Sequence, residues 1–564
     1  MSEATDRSLQ PARTRKARWL VWIALSGIIV GYVFFVVRLH PTNFFGLSQD
    51  DTLYFSSAKA IAEGHGYILP SVPGTPAATK YPILYPWILS WVWRWNPSFP
   101  ANLSSAVALN LVFGVAYLLA TFAFLRRLPG FSDVVALLLT AVCALNPRVL
   151  SISANLLSDI PFAALALAAC VVARRATARE SGLGAMIACG LLSGLSILMR
   201  TMGIPFAAGL YVAITLRSGW RRSSAFAACV VPFAVTLFWR TLFLTPKMPP
   251  AAESGCSAPW RMTWLYYTSY AGFWRADVLT HGVFWQTVRN NIMSALLQPA
   301  SYFINATHIR APVLALVLLV SLSAILFRGG TRLATSAERQ PIYFALGFYL
   351  IPILVWDYAA MDRFFLPFLP LIVAGIWREA QHVASQVRGA PRGKGRNERA
   401  TAVCFLCLAG IVLAWGIAVS WTGEIRSVAK TSRTRAALLD EKRQAYTWLQ
   451  QNSPQDSRVI AYEDVSVYLY SGRQALRPVI FSAAGVNRLD ILNSDLACIT
   501  SSAAPLGAKY WLVSDDDFGY EWEPANSRAR QKEKEMEQTL DPLFRSSPGS
   551  LRIYALDSEG EPAL

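Results

Sequence analysis

The sequence predicts an α-helical protein that crosses a membrane many times and carries a small α/β domain at its C-terminal end. Hydrophobic residues make up 54% of the 564 residues and charged residues only 15%, which is unusual for a soluble chain. The apolar residues form long runs, and the first of these, 19–37, contains no charged side chain. After about residue 421 the composition becomes polar, and helical and strand patterns alternate.

Eleven apolar runs are predicted to be membrane spans, and the shorter ones need support from neighbouring helices. A basic tail, 1–17, precedes the first run. A cleavable signal peptide has a shorter apolar region and a small-residue cleavage site, so we interpret this run as an uncleaved helix. The predicted spans are 18–38, 104–125, 132–146, 160–173, 183–199, 203–216, 223–244, 309–327, 341–356, 364–379 and 401–421.

The basic residues predict which side of the membrane each loop faces. The chain has a formal net charge of +17, and its arginines and lysines cluster in short loops between alternate spans. Such loops are cytoplasmic, and this distribution also argues against a nucleic-acid partner. The N-terminus is therefore predicted to be cytoplasmic, with loops 39–103 and 245–308 and the region 422–564 outside. The short loops favour a bacterial inner membrane.

The region 422–564 is predicted to be a soluble domain outside the membrane. A polar helix at about 428–451 precedes strand-like segments, of which 458–462 is the first. The alternation of helix and strand predicts a partly parallel sheet. Cys256 and Cys498 are the two cysteines predicted to lie outside the membrane, where they could pair, and the stretch 389–399 is a predicted cytoplasmic linker.

Two adjacent carboxylates, Asp50 and Asp51, follow the first span directly. Carboxylates are costly to hold near lipid, so this pair is either functional or structural. It could cap the predicted surface helix 50–64, because acidic side chains suit a helix N-terminus. The loop 245–308 is rich in tryptophan and tyrosine, which suit the headgroup layer or the stacking of a carbohydrate.

Four segments in sequence order resemble the GT-C superfamily, a group of integral-membrane glycosyltransferases that use lipid-linked sugars. All four lie on the predicted outer side, and the resemblance covers most of residues 18–421. The C-terminal region resembles the outer domain of members that transfer aminoarabinose or mannose. The segments are Asp50-Asp51 with Tyr81-Pro82-Ile83-Leu84-Tyr85-Pro86, Asn146-Pro147 with Ser158-Asp159-Ile160-Pro161, Gly194-Leu195 through Arg200 to Gly203, and Asp362-Arg363-Phe364-Phe365-Leu366-Pro367.

This resemblance implies a transmembrane catalytic domain, 18–421, that moves a sugar from a polyprenyl-phosphate donor to an acceptor on the outer face. The acceptor could be a lipid, a polysaccharide or a protein. Asp50 occupies the first acidic position of the family and is the predicted base, with a pKa raised by the apolar boundary. Asp51 is predicted to orient the acceptor or Asp50. A single displacement would invert the anomeric centre.

The leaving phosphate needs cations, and three side chains are candidates. Lys80 lies just before Tyr81-Pro82, and Arg200 and Arg363 lie at the outer ends of spans, where they could also simply reach the headgroups. Asp159 could help Asp50 to hold a divalent cation such as Mg²⁺ or Mn²⁺, or it could cap a helix. The sequence contains no His/Cys cluster with metal-ligand spacing, so such an ion would be bound by oxygen.

Two other functions are compatible with a multi-pass chain. A transporter or lipid flippase tends to bury ionisable residues in the middle of its spans and to contain related halves. Here the spans are almost free of charge, and no repeat is apparent. A non-catalytic envelope assembly protein would use the outer domain to recruit a partner, and it would not need the Asp50 carboxylate.

Overall fold

The computed structural model describes most of the chain, with gaps. The described residues are 15–177, 182–247, 257–336, 341–358, 361–389, 396–481, 489–498, 507–519 and 525–556.

The chain up to residue 389 is almost entirely helical. Short 3₁₀ turns at Pro41–Phe44, Ala306–His308 and Leu366–Phe368 and a π-turn at Arg275–Leu279 join some of the helices. The α-helices are α1 (Arg15–Arg38), α2 (Gln49–Ala62), α3 (Leu84–Trp95), α4 (Leu103–Leu125), α5 (Asp133–Ala144), α6 (Pro147–Ala154), α7 (Asp159–Ala176), α8 (Leu183–Met199), α9 (Gly203–Ser218), α10 (Trp220–Phe243), α11 (Ser257–Thr268), α12 (Tyr270–Trp274), α13 (Phe284–Ser301), α14 (Pro312–Ser336), α15 (Pro341–Val355), α16 (Asp362–Phe365) and α17 (Leu369–Gly389).

Five helices within the described residues are long and apolar enough to cross a membrane, or six if α5 and α6, bent by 56°, form one span. Helices α8, α9 and α15 are apolar but shorter. All eleven predicted spans fall on helices, and the number of crossings stays a prediction. Phe34, Phe238 and Val313 are more than half exposed on these helices. Such apolar exposure suits contact with lipid rather than water.

One predicted boundary was wrong. The span 401–421 and the polar helix 428–451 form one continuous helix, α18 (Arg396–Asn452), and no proline separates them. The described part of the predicted outer loop 245–308 is largely helical, since it contains α11, α12 and α13. The predicted linker 389–399 falls mainly outside the described residues.

Close helix packing in the membrane region depends on small residues. At the crossing of α14 and α17, a Cβ atom on Gly329 would lie 2.1 Å from the carbonyl oxygen of Gly375. No side chain fits at that distance, so glycine allows the two backbones to touch.

The C-terminal region forms the predicted α/β domain with a mixed sheet. Its strands are β1 (Arg458–Ala461), β2 (Gln474–Leu476), β3 (Ala508–Ser514), β4 (Pro542–Arg545) and β5 (Leu551–Ala555), in the order β2-β1-β3-β5-β4. Strand β1 pairs parallel with β2 and β3, and β5 pairs antiparallel with β3 and β4. Helices α19 (Asp464–Ser471), α20 (Leu489–Ala497) and α21 (Ala525–Glu537) complete the domain.

The predicted sheet is therefore confirmed, and it encloses a core around the fully buried Trp511. Cys498 is disulfide-bonded. Cys256, with which the sequence analysis left a pairing open, lies outside the described residues.

Buried charges on α18 join the C-terminal domain to the loop that follows α1. Arg435 is 2% exposed and donates to the carbonyls of Asn43 and Phe45, at 3.3 and 3.2 Å, and to Glu463 at 3.2 Å. Lys442, two turns further along the helix, contacts the same Glu463 carboxylate at 2.7 Å. The domain is thus held to the membrane region through hydrogen bonds from Arg435 to backbone carbonyls, and the ion pairs with Glu463 fix Arg435 in place.

We predict that Arg435→Met destabilises the protein by about 3 kcal/mol, because it removes a buried cation and leaves two carbonyls without their donor. Thermal unfolding of the purified protein in detergent measures the effect. Arg443→Met is the matched control on the same helix, because the Arg443–Asp440 pair is half exposed or more and contributes within about 0.5 kcal/mol. Equal midpoints for the two variants would contradict the prediction.

Candidate active site

A cavity of about 200 Å³ lies where the loops predicted to face outward converge. One wall comes from the start of α2 and the segment before α3, and another from the residues that follow α8 and α15. Aromatic and cationic side chains predominate. The lining residues are Asp50, Tyr54, Lys80, Tyr81, Pro82, Arg200, Thr201, Met202, Tyr266, Tyr270, Pro352, Ile353, Trp356, Tyr358, Arg363 and Phe364.

Asp50 lies in the first turn of α2 and is held by two partners. Arg363, at the start of α16, donates to Oδ2 at 2.9 Å, and the hydroxyl of Tyr81 donates to Oδ1 at 2.6 Å. Among the described residues that line the cavity, Asp50 is the only carboxylate. The structure therefore joins two residues that are 313 positions apart in the sequence.

The predicted upward shift of the Asp50 pKa was wrong. Burial favours the protonated form, but Arg363, the Tyr81 hydroxyl and the nearby charges of Lys80 and Arg200 outweigh it, and the pKa of Asp50 falls to about 2. The carboxylate is ionised at neutral pH. Any group that takes Arg363 away from it would raise its pKa again.

Lys80 is buried in a cage of tyrosine rings. Its ammonium lies 3.4 Å from the ring centre of Tyr266, and among the described residues it forms no ion pair with a carboxylate. The adjacent Thr79 hydroxyl donates to the carbonyl of Thr268 at 2.6 Å, which fixes this segment against α11. Burial lowers the pKa of Lys80 to about 7, although the negative charge of Asp50 opposes the shift.

A pair of buried carboxylates adjoins the cavity beside Trp356. Burial, followed by the hydrogen bond and negative charge of Asp277, raises the pKa of Asp357 to about 9. The Asp357 carboxyl is therefore protonated at neutral pH. When it is ionised, its negative charge favours the protonated form of Lys80.

Arg200 follows α8 and faces the cavity, but it is already paired. Its Nη1 atom lies 2.5 Å from Oδ1 of Asp159, the first residue of α7, which is 2% exposed. The guanidinium also lies 5.3 Å from the ring centre of Phe364. Asp159 itself does not line the cavity.

Asp51 points away from the cavity. It is fully buried, and its carboxylate accepts from the backbone N–H groups of Gly46 at 3.0 Å and Thr52 at 2.6 Å. This position suits the capping alternative, in which the side chain holds the preceding loop against α2. It gives no support to the predicted contact with an acceptor.

No protein-family model and no curated protein sequence matches the chain. Solved structures do match. The archaeal oligosaccharyltransferase AglB from Archaeoglobus fulgidus, in complex with an inhibitory peptide and a dolichol-phosphate, is 13% identical with a TM-score of 0.51, over 98% of this chain and 76% of that one. An Archaeoglobus fulgidus oligosaccharyltransferase tethered with an acceptor peptide is 14% identical with a TM-score of 0.54, over 96% of this chain and 74% of that one.

The chain has the GT-C fold. ArnT from Cupriavidus metallidurans bound to undecaprenyl phosphate also matches, at 13% identity and a TM-score of 0.46, over 94% of this chain and 99% of that one. At these identities the similarity establishes the fold alone. The predicted GT-C fold is thereby confirmed, whereas the number of membrane spans stays a prediction.

The metal predicted for this GT-C site finds little support in the residues present. One match, the Archaeoglobus fulgidus enzyme, is a complex with Zn and sulfate, at 14% identity and a TM-score of 0.50, over 87% of this chain and 68% of that one. In this chain the described residues contain no group of three or more His, Cys, Asp or Glu that could hold a metal. Asp50 and Asp159 are each paired with an arginine. The divalent cation stays a prediction, and no step below depends on it.

Sequence reasoning missed the aromatic wall of the cavity. Tyr266 and Tyr270 belong to the loop that was interpreted mainly as a headgroup anchor, and both line the cavity. Tyr266 lies in α11 and Tyr270 begins α12, with the extended Ser269 between them, so a simple helical spacing does not account for the convergence of their rings. The rings also lie close to Lys80, at 3.4 and 5.3 Å from its ammonium.

We predict that Asp51→Asn changes the pH dependence of stability. Burial raises the pKa of Asp51 well above its usual range, despite the hydrogen bonds from Gly46 and Thr52. Because the folded-state pKa is the higher one, the wild type loses stability as pH rises above about 4. The stability of the variant does not fall with pH in this way. The variant keeps only one of the two backbone hydrogen bonds, and the loss of the other lowers its stability by about 1 kcal/mol.

Unfolding midpoints of both proteins between pH 4 and pH 8 test this. The wild type should be the more stable protein at pH 4, and the difference between the two unfolding midpoints should become steadily smaller toward pH 8. A constant gap would show that Asp51 does not titrate abnormally.

Proposed function

We propose that this protein is a membrane glycosyltransferase that moves a sugar from a polyprenyl-phosphate-linked donor to an acceptor. The observation that carries the proposal is the cavity itself, where one ionised carboxylate, Asp50, lies among the cations Lys80, Arg200 and Arg363. The same cavity is lined by aromatic rings and adjoins helices with exposed apolar faces. The site thus offers a base, an anion-binding surface and rings on which a sugar can stack.

The three cations suit the phosphate of a lipid-linked sugar. Negative charge grows on the bridging oxygen as the bond to the sugar breaks, and fixed cations at that oxygen stabilise the transition state. Lys80 is the most available of the three, because its described contacts are with tyrosine rings rather than with a carboxylate. Arg363 and Arg200 are paired with Asp50 and Asp159, so a phosphate would share them.

Phosphate binding would also activate Asp50. In the free protein Arg363 and its neighbours hold the pKa of Asp50 at about 2, which makes it a weak base. A phosphate that draws Arg363, Lys80 and Arg200 toward itself removes this stabilisation, and the pKa of Asp50 then rises. Asp50 would become an effective base for the acceptor hydroxyl only when the donor is present.

Because Asp50 is the single carboxylate among the described lining residues, we expect the sugar to be transferred in a single displacement. Retaining enzymes use a second carboxylate as a nucleophile close to the first, whereas Asp50 has no such neighbour among the described lining residues. The acceptor oxygen would attack the anomeric carbon, the bond to the phosphate would break, and Asp50 would take the hydroxyl proton. The product would have inverted configuration.

One matched structure supports a lipid-linked donor. The archaeal oligosaccharyltransferase AglB was solved in complex with an inhibitory peptide and a dolichol-phosphate. We propose a polyprenyl-phosphate donor here, in a bacterial inner membrane, with the cavity and the C-terminal domain on the outer face. The acceptor is a lipid, a polysaccharide or a protein.

We predict that Asp50→Asn lowers the rate of sugar transfer at least about 100-fold, since the amide cannot accept the hydroxyl proton. Purified protein, radiolabelled polyprenyl-phosphate sugars and a membrane extract provide the assay. Asp51→Asn is the neighbouring control, and it should keep its rate per folded molecule within about threefold, because Asp51 faces away from the cavity. Equal transfer by Asp50→Asn and the wild type would refute the assignment of the base. Lipid flipping without any sugar transfer would favour a transporter.

We predict that binding of polyprenyl phosphate weakens as pH rises above 7, because the pKa of Lys80 is about 7 and only the protonated ammonium attracts an anion. The dissociation constant should rise by up to about tenfold per pH unit between pH 7 and pH 9. The phosphate has its second pKa near 6, so its charge is nearly constant in this range. A fluorescent polyprenyl phosphate in nanodiscs gives the measurement.

Lys80→Arg is the matched variant for this experiment. Arginine keeps its charge throughout the range, so the variant should bind with little pH dependence. A pH dependence that is the same in both proteins would exclude Lys80 as the titrating group.

A further inference from the structure

A buried carboxylate of the C-terminal domain, Asp464, contacts two segments that border the cavity. It is the first residue of α19 and is 1% exposed. The hydroxyl of Tyr267, on α11, donates to its Oδ2 atom, and the side-chain amide of Gln49, on α2, lies 3.5 Å from Oδ1. Gln49 also donates to the Tyr267 hydroxyl. Three separate segments of the chain therefore meet at one carboxylate.

The C-terminal domain holds Gln49 from its other side as well. Arg477, which follows β2, donates from Nη1 to Oε1 of Gln49 at 2.6 Å. Its guanidinium lies 3.9 Å from the ring centre of Tyr462, which limits its movement. Both ends of the Gln49 amide are thus bound, the nitrogen by Asp464 and Tyr267 and the oxygen by Arg477.

The partners of Asp464 are the sequence neighbours of two cavity residues. Gln49 immediately precedes Asp50, the proposed base. Tyr267 immediately follows Tyr266, whose ring lies against the ammonium of Lys80. A shift of either partner would move the base or the lysine relative to the substrate. None of the described residues that line the cavity belongs to the C-terminal domain.

We infer that Asp464 is a positioning residue, through which the C-terminal domain fixes the distance between Asp50 and the Lys80–Tyr266 contact. The inference rests on the proposed function for its effect on catalysis, whereas the structural link can be tested separately. It assigns to the C-terminal domain a part in transfer that goes beyond covering the site. Misplacement of a base by about 1 Å can cost about 100-fold in rate.

The first measurement needs no activity. Hydrogen–deuterium exchange on the full-length protein in nanodiscs compares the wild type, Asp464→Asn, Tyr267→Phe and Asp440→Asn. Asp440 is a matched Asp→Asn control, because its side chain is 75% exposed. Exchange should rise in Asp464→Asn and Tyr267→Phe at both 44–52 and 264–272, and it should not change in Asp440→Asn. Unchanged exchange at these two segments in both variants would overturn the inference.

The second measurement tests the consequence for transfer. Asp464→Asn should lower kcat about 10- to 100-fold with the donor KM within about threefold, because the cations that hold the phosphate remain. The acidic limb of the kcat/KM profile should move to higher pH, since a displaced Asp50 loses part of its pairing with Arg363.

A purely structural defect would reduce the number of active molecules without moving the acidic limb of the pH profile of kcat/KM. That result would refute the positioning role. If the wild type transfers no sugar from any donor tested, the proposed function fails. The exchange experiment then still decides whether Asp464 links the two segments.

Discussion

The site of this protein depends on one electrostatic constraint: a buried carboxylate that stays ionised must have a cation close by. Asp50 meets Arg363, and Asp159 meets Arg200, and in each pair the partners come from different parts of the chain. The two pairs bring the ends of α2, α7, α8 and α16 together around one cavity. Lys80 is held among tyrosine rings. Among the described residues it forms no such ion pair, so no carboxylate partner neutralises its positive charge. The balance of charges leaves the site ready to receive an anion.

A buried cation also links the membrane region to the C-terminal domain. Arg435, on the long helix α18, is buried between the loop after α1 and the Glu463 carboxylate. The next residue, Asp464, is bound to Gln49 and Tyr267. Two neighbouring carboxylates of the C-terminal domain thus hold the two sides of the segment that presents Asp50. The domain is part of the framework of the site, although none of its described residues lines the cavity.

The sequence was most informative where the physical signal is local. Runs of apolar residues identified the helices, because burial in lipid requires a continuous apolar stretch. The alternation of polar helices and short strands identified the C-terminal sheet, including its parallel part. The joining of the span 401–421 to the helix that follows it was missed, since hydropathy changes sharply there while helix propensity does not.

By itself, the sequence determined the helical membrane architecture, the α/β domain and four of the lining residues, Asp50, Lys80, Arg200 and Arg363. Only the tertiary structure decided the direction of the Asp50 pKa and the fact that Asp50, but not Asp51, lines the cavity. The reason is that a pKa depends on groups within a few ångströms, and Arg363 reaches Asp50 only after the chain has folded across 313 positions. The tyrosine cage around Lys80 and the contact of Asp464 with Gln49 likewise exist only in three dimensions.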